Sequence, residues 1–276
     1  MNSKDPILRK LRASDIPAAL ELSAEAGWNQ TAEDWRVLID LAPEGCLAIE
    51  TEGELASTAT LLSYGCQLAW IGMVLTRIAY RGRGFALRLL GEAVRLADQM
   101  QVQTVKLDAT DQGQPLYEKL GFRSEQAVER WARPHSADIP IPSGLPDATA
   151  SDTWQAADHR AFGADRSALL ERLARRNPPL SRGQSYLLTR PGRVTSYLGP
   201  CVADAPETAR SLVERALQSA STGGWSWDLL LENTHAVALA RDLGFAPKRH
   251  LLRMVRGKDR RGQDASIFAI AGFELG

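Results

Sequence analysis

The sequence predicts an α/β (α+β) chain of two tandem domains, and three observations predict it. Short strand-like runs alternate with helical runs, a segment with four prolines between Arg133 and Pro146 interrupts them, and the same order of elements returns beyond it. With 276 residues, 44% of them hydrophobic, each half can bury its own core. Domains are therefore expected at 1–134 and 148–276, with a linker at 135–147.

In the first half, Ile7 to Arg12 reads as a strand, and Ser14 as N-cap with Pro17 in the first turn opens a helix to Ala26. Thr31, with Asp34 three residues on, forms a capping box for a second helix toward Leu41. Cys46 to Glu50 and Ala56 to Tyr64 read as strands around the tight turn Glu52-Gly53-Glu54. A strand over Ala69 to Thr76 feeds an Arg-Gly loop and a helix from Phe85 to Met100, where helix formers and apolar spacing agree. Strand Thr104 to Ala109, helix Gln114 to Leu120 closed by Gly121, and an extended stretch Ala127 to Ala132 finish this half.

Beyond the prolines, helices are expected at Ala148 to Phe162 and Arg166 to Arg175, and strands at Ser185 to Thr189 and Val194 to Val202. Helix Pro206 to Ser219, strand Trp227 to Leu231 and helix Ala236 to Leu243 follow, and Gly244-Phe245 repeats Gly121-Phe122. With Tyr197-Leu198-Gly199 set against Trp70-Ile71-Gly72, the distance to that pair is 49 residues (72 to 121) in one half and 45 (199 to 244) in the other. An internal duplication accounts for this, resting on element order rather than on identities. Trp225 and Trp227 straddle Ser226 and share one strand face, the pattern of a core pair.

Lys plus Arg equals Asp plus Glu at 33 each, so no global field draws the chain onto nucleic acid or an anionic membrane; any anion site is local. Cys46, Cys66 and Cys201 lie far apart, which argues against a disulfide framework and a structural zinc site and fits a reducing cytoplasm. His135, His159, His235 and His250 have no metal-like spacing, so no metal is expected. Met1 to Lys10 lacks the apolar core of a signal peptide, and no apolar run reaches bilayer length. A cytoplasmic monomer or homodimer is expected.

The stretch Trp70 to Ala86 carries the chemistry. A strand leads into Arg81-Gly82-Arg83-Gly84 and then into a helix. Glycines let successive backbone N–H groups turn inward, the helix start adds partial positive charge, and the guest such a nest selects is a phosphate or pyrophosphate. The nucleotide P-loop is excluded because no Gly-Lys-Ser/Thr follows, and the dinucleotide fingerprint because Leu87 stands where its third glycine belongs. An exposed Arg-Gly turn or a piece of an RNA-binding tract shares the composition, but such tracts are longer and lie in disordered sequence.

Arg81, Gly84 and Ala86 at this spacing resemble motif A of the GNAT N-acetyltransferase superfamily, and Leu116-Tyr117 followed by Gly121-Phe122 resembles its second marker. The resemblance covers Ile7 to Arg133, with a weaker echo in the second half. It implies two tandem GNAT-like domains, each a mixed, mostly antiparallel sheet with a central pair of parallel, splayed strands and flanking helices. It also implies acetyl-coenzyme A as cosubstrate, its pyrophosphate on Arg81, Gly82, Arg83, Gly84, Phe85 and Ala86. The pantetheine arm would lie between Trp70 to Thr76 and Thr104 to Ala109, against Met73, Val74 and Leu75. The backbone N–H of Val74 would polarise the thioester carbonyl while an amine attacks directly, and Tyr117 would return a proton to the thiolate as general acid. Taken alone, Tyr117 is equally a core aromatic.

Thr110 stands where many relatives carry Asn, and Gly113 is the small residue three positions on; with Leu116 they complete the implied cofactor contacts. For a general base the sequence offers Asp108 and Asp111, either of which is also an ordinary helix cap. Trp28, Asn29 and Gln30 lie where relatives often line the acceptor pocket, although a Trp between helices is as often a packing residue. In the second half Asn233 and Ala236 match Thr110 and Gly113, but Ala240 replaces Tyr117 and Ala203-Asp204-Ala205-Pro206 replaces the Arg-Gly loop. The expected function is acetyl transfer from acetyl-coenzyme A to an amine of a small-molecule acceptor, catalysed by the first half and shaped by the second. Two alternatives stay open: a coenzyme A or acyl-coenzyme A sensor without turnover, and a protein or peptide N-acetyltransferase, which predicts an open groove.

Overall fold

A computed structural model describes residues 5–134, 154–218 and 223–276. The linker expected at 135–147, His135 and the start of the helix expected from Ala148 lie outside the described residues. The first half runs β1 (Ile7–Lys10), α1 (Ile16–Glu25), α2 (Ala32–Leu41), β2 (Cys46–Thr51), β3 (Glu54–Tyr64), β4 (Leu68–Thr76), α3 (Phe85–Gln99), β5 (Thr104–Ala109), α4 (Gln114–Glu118) and β6 (Arg123–Arg133). The second runs α5 (Trp154–Phe162), α6 (Ser167–Ala174), β7 (Leu180–Arg182), β8 (Ser185–Arg190), β9 (Ser196–Val202), α7 (Pro206–Leu217), β10 (Trp225–Leu230), α8 (Thr234–Asp242), β11 (Ala246–Gly257) and β12 (Ile267–Ala269).

Local chemistry sets most boundaries. Asp34 Oδ2 accepts from Thr31 N (2.7 Å) and Thr31 Oγ1 from Asp34 N (3.3 Å), the reciprocal cap that starts α2. Glu52 and Gly53 sit at φ 57° and 82°, a turn whose twist matches the strands it joins. Ser14 does not cap α1: a 3₁₀ turn at Ala13–Asp15 precedes the helix, and the Asp15 carboxylate is held by Arg9 and by the Arg12 N–H.

The strands form one sheet in the order β1-β2-β3-β4-β5-β11-β6-β10-β9-β8-β7, with β12 attached to β9. The halves exchange strands at the centre: β11 lies between β5 and β6, and β6 lies between β11 and β10. Buried ion pairs stitch this crossing. Arg253 of β11 holds Asp108 of β5 through both carboxylate oxygens (2.9 and 3.1 Å), and Arg130 of β6 holds Asp228 of β10 likewise (2.7 and 2.7 Å). Lys106 of β5 reaches Glu125 of β6 at 2.9 Å. Stripping one partner from a buried pair costs about 3–5 kcal/mol, so strand orders that leave these charges unmatched are disfavoured by that amount.

Side chains alternate across the sheet. Ala69 and Ile71 face the cluster under α3, whereas Leu68 and Trp70 face the opposite side. There one apolar core takes Leu22, Trp35 and Leu38 from the first half and Leu169, Leu170 and Tyr186 from the second, so the halves share it. Trp225 and Trp227 lie together in the core beneath α7 and α8. Among the described residues no helix is long and apolar enough to cross a membrane, and no group of three or more His, Cys, Asp or Glu is placed to hold a metal ion.

Candidate active site

The site begins with a break in pairing. β4 and β5 run parallel and pair only over Leu68–Trp70 with Thr104–Lys106, then part. The cause lies on the β3 side, where Thr60 pairs with Gly72 and Thr58 with Leu75, so that Ala59 alone faces both Met73 and Val74. Such a bulge bends its strand and leaves a residue out of the ladder. Met73 takes φ 49°, and the bulge is fixed by Thr58 Oγ1 donating to Met73 O (2.8 Å) and Ser57 Oγ donating to Leu75 O (2.7 Å).

Past β4 the chain turns through Gly82 and Gly84 at φ 78° and 76°, with open space where either Cβ would stand. The first hydrogen bond of α3 runs from Arg88 N to Gly84 O (3.0 Å). The N–H groups of Arg83 through Leu87 therefore find no acceptor among the described residues, and they converge at a helix start beside the exposed Arg81 and Arg83. Phe85 anchors the turn in the core below α3, next to Tyr80. Open amides, two cations and room for an approaching backbone fit a diphosphate.

Where β4 and β5 part, a cavity of about 120 Å³ opens. Of the residues singled out from sequence, Trp28, Gln30, Met73, Val74, Asp108, Thr110 and Tyr117 line it. Tyr117 is buried, and burial pushes its phenol up to about 12, which keeps it protonated. A Cβ on Gly113 would stand 2.9 Å from Tyr117 Cε2, so this glycine makes the room in which the ring sits. The second half closes one side of the cavity with Arg249, Leu251, Phe273 and Glu274, next to Arg130 of β6. Gly72 allows that closure, because a Cβ there would lie 2.7 Å from Glu274 O.

Sequence profiles of one family match both halves: "Acetyltransferase (GNAT) family" over residues 15–122 and "Acetyltransferase (GNAT) domain" over 155–269. The chain belongs to the GNAT acetyltransferases. It is a tandem of two GNAT domains, and membership assigns it acyl transfer, the family's donor being acetyl-coenzyme A and its acceptors amines. It is 25% identical over 259 residues to a holothin acyltransferase of Pseudoalteromonas sp. (strain SANK 73390), covering 90% of this chain and 87% of that protein. It is 27% identical over 251 residues to the uncharacterized N-acetyltransferase YitH of Bacillus subtilis (strain 168), with 86% and 87% covered. A solved structure from Pyrococcus horikoshii shares the fold at TM-score 0.86 and 23% identity, covering 100% of this chain and 98% of its own.

Two residues expected at the GNAT site are engaged by the protein itself, and a third lies away from the cavity. Asp108 lines the cavity with each oxygen bound by Arg253, and burial still lifts its carboxyl above the usual range. Asp111 is exposed and outside the cavity. Asn29 is spent on the second half: Oδ1 accepts from Val194 N (2.7 Å) and Thr195 N (3.1 Å), and Nδ2 donates to Thr195 O (2.9 Å), leaving no arm for a ligand. Leu75 and Leu116 pack in apolar cores, and the 81–86 turn lies beside the cavity rather than in its lining.

Glu274 is the residue the sequence hid. It is fully buried, and burial lifts its carboxyl above the usual range against the pull of Arg190 and Arg130. It sits in a short segment after β12 with no periodic pattern; its one signal is another Gly-Phe pair, Gly272-Phe273, directly before it.

Proposed function

We propose that the first half binds acetyl-coenzyme A and transfers the acetyl group to an amine of a small-molecule acceptor. The observation that carries this reading is the parting of β4 and β5, where a cavity lined by Tyr117 and Glu274 opens beside the strand that leads into the open amides of the Arg-Gly turn. Amides 83–87 with Arg81 and Arg83 would hold the diphosphate, and the backbone of Met73 and Val74 the pantetheine arm. The bound thioester supplies the activated acyl group. The Val74 N–H would neutralise charge as it develops on the carbonyl oxygen. Glu274 takes the proton of the amine, its raised pKa bringing it nearer to neutrality than an ordinary carboxylate. Tyr117, protonated throughout the working range, donates to the sulfur as the C–S bond breaks and the N–C bond forms. A cavity of about 120 Å³ with Arg249 and Phe273 in its wall favours a small acceptor over a protein.

The test is thiol release from acetyl-coenzyme A over a panel of amines and a range of pH. A carboxylate base with a raised pKa is inactive when protonated, so kcat/KM should rise with pH through a midpoint above the ordinary glutamate value of about 4.3. Glu274→Gln should remove that limb and lower kcat by about 10²–10⁴-fold. Coenzyme A binding without turnover of any amine would favour a sensor, and an unchanged limb in Glu274→Gln would remove Glu274 as the base.

A further inference from the structure

Two polar groups in the cavity have no partner among the described residues, and they are of opposite hydrogen-bonding sense. Arg249, on β11, is half-buried with its guanidinium 5.7 Å from the centre of the Trp28 ring, and it makes neither an ion pair nor a hydrogen bond. Gln30 Oε1 is buried and accepts nothing. The other charges at the cavity are matched: Arg130 with Asp228, Asp108 with Arg253, and Glu274 with Arg190 Nη2 at 3.6 Å. Burial and the neighbouring Arg130 work against the charge on Arg249, and against them stands the pull of Asp228, which Arg130 already holds. A cation held in that state gains most from an anion that docks on it. Its planar fork matches a carboxylate through two parallel hydrogen bonds, and the indole face of Trp28 keeps it oriented.

The cofactor phosphates are not that anion on this geometry, because the 81–86 turn lies outside the cavity lining. The small volume and the single unmatched cation also fit a monoanion better than a phosphate. Resting on the acetyl-transfer reading above, we propose that the acceptor is a small aminocarboxylate, its carboxylate on Arg249 and its amine toward Gln30 Oε1 and Glu274. Its ammonium proton passes to Glu274, and the freed amine bonds to the acyl carbon as the C–S bond breaks. The released sulfur takes the Tyr117 proton, and the second proton shed by the nitrogen restores the phenol, while Glu274 gives its proton to solvent. The carboxylate takes no part in bond making and fixes orientation alone.

The experiment pairs common amino acids with their own primary carboxamides. Thiol release measures each pair as substrate, and calorimetry measures their N-acetyl derivatives as ligands, in the wild-type chain and in Arg249→Gln. The wild type should prefer the free acid by at least about tenfold in both assays. Arg249→Gln should abolish the preference chiefly through KM while acetyl-coenzyme A affinity is unchanged, which also reports a folded chain. Equal treatment of acid and carboxamide by the wild type, or a preference that survives in Arg249→Gln, overturns the proposal. Should no amine be turned over, the acetyl-transfer reading fails by itself. Calorimetry then still decides the anion site: tighter binding of the N-acetyl acids, lost in Arg249→Gln, upholds it, and equal or absent binding sinks it.

Discussion

Each half of the molecule splits a parallel strand pair after three residues, β4 from β5 beyond Trp70 and β9 from β10 beyond Leu198. What enters the split differs. In the first half a bulge opens it and a cavity lies beyond. In the second half the chain itself enters: β12 pairs antiparallel with β9, Ile270 N donates to Asp228 O of β10 (3.1 Å), and Trp227 Nε1 donates to Phe268 O (2.7 Å). Asn233 Nδ2 closes the plug on Ala265 O (3.0 Å) and Ile267 O (2.9 Å). The helix starts differ as well. Where α3 presents two left-handed glycines and two arginines, α7 is preceded by Asp204, whose carboxyl is held below its usual range chiefly by the hydroxyl of Ser185. A fixed negative charge at a helix start repels phosphate. In the second GNAT domain the split is thus filled with polypeptide, and the same segment, running on to Phe273 and Glu274, becomes a wall of the cavity in the other half.

The sharpest way to test that asymmetry is to attack the chemistry of the open side. Tyr117→Phe should cut kcat by about 10²–10⁴-fold with coenzyme A affinity nearly unchanged, since the ring keeps the space that Gly113 leaves it. Single-turnover thiol release measures it, and a kcat within a few-fold of wild type would leave the open side without its acid. The plugged side should answer differently. Phe268, fully buried in the α7–α8 core, becomes a cavity in Phe268→Ala, and denaturant melts should show a loss of about 3–5 kcal/mol. Coenzyme A should still bind once per chain, because Asp204 remains; a second bound equivalent would mean that the plug alone separates the halves.

Legibility in the sequence followed the range of the interactions. The capping box of α2, the Glu52-Gly53 turn and the Arg-Gly turn are local, and residues within a few positions specify them. The splay was expected only through the family resemblance that the Arg-Gly motif carries. β11 was missed because Lys248, Arg249, His250, Arg253 and Arg256 break its apolar run, yet Arg253 is the charge that fastens the strand to Asp108, 145 residues away. That pairing gives Asp108 a structural partner, and no local pattern announces it. Asn29 was misread for the same reason, its partners at Val194 and Thr195 being 165 and 166 residues distant.

The finest test compares single backbone positions at the two helix starts. Gly84 stands at φ 76° with nothing within 4 Å of a would-be Cβ, so the Cβ of Gly84→Val meets no clash, and its chief effect is the cost of the left-handed conformation. That cost is about 1–3 kcal/mol, or roughly 5- to 150-fold in coenzyme A affinity if the turn must keep this shape to bind. Ala205, which precedes α7, lies at φ −148°, extended backbone that any residue adopts, and Ala205→Val should leave the affinity as it was. Isothermal titration of both variants separates the outcomes. A loss confined to Gly84→Val ties binding to the conformation of one turn, whereas equal affinities in both would show that phosphate is held by the arginine side chains and not by the amides.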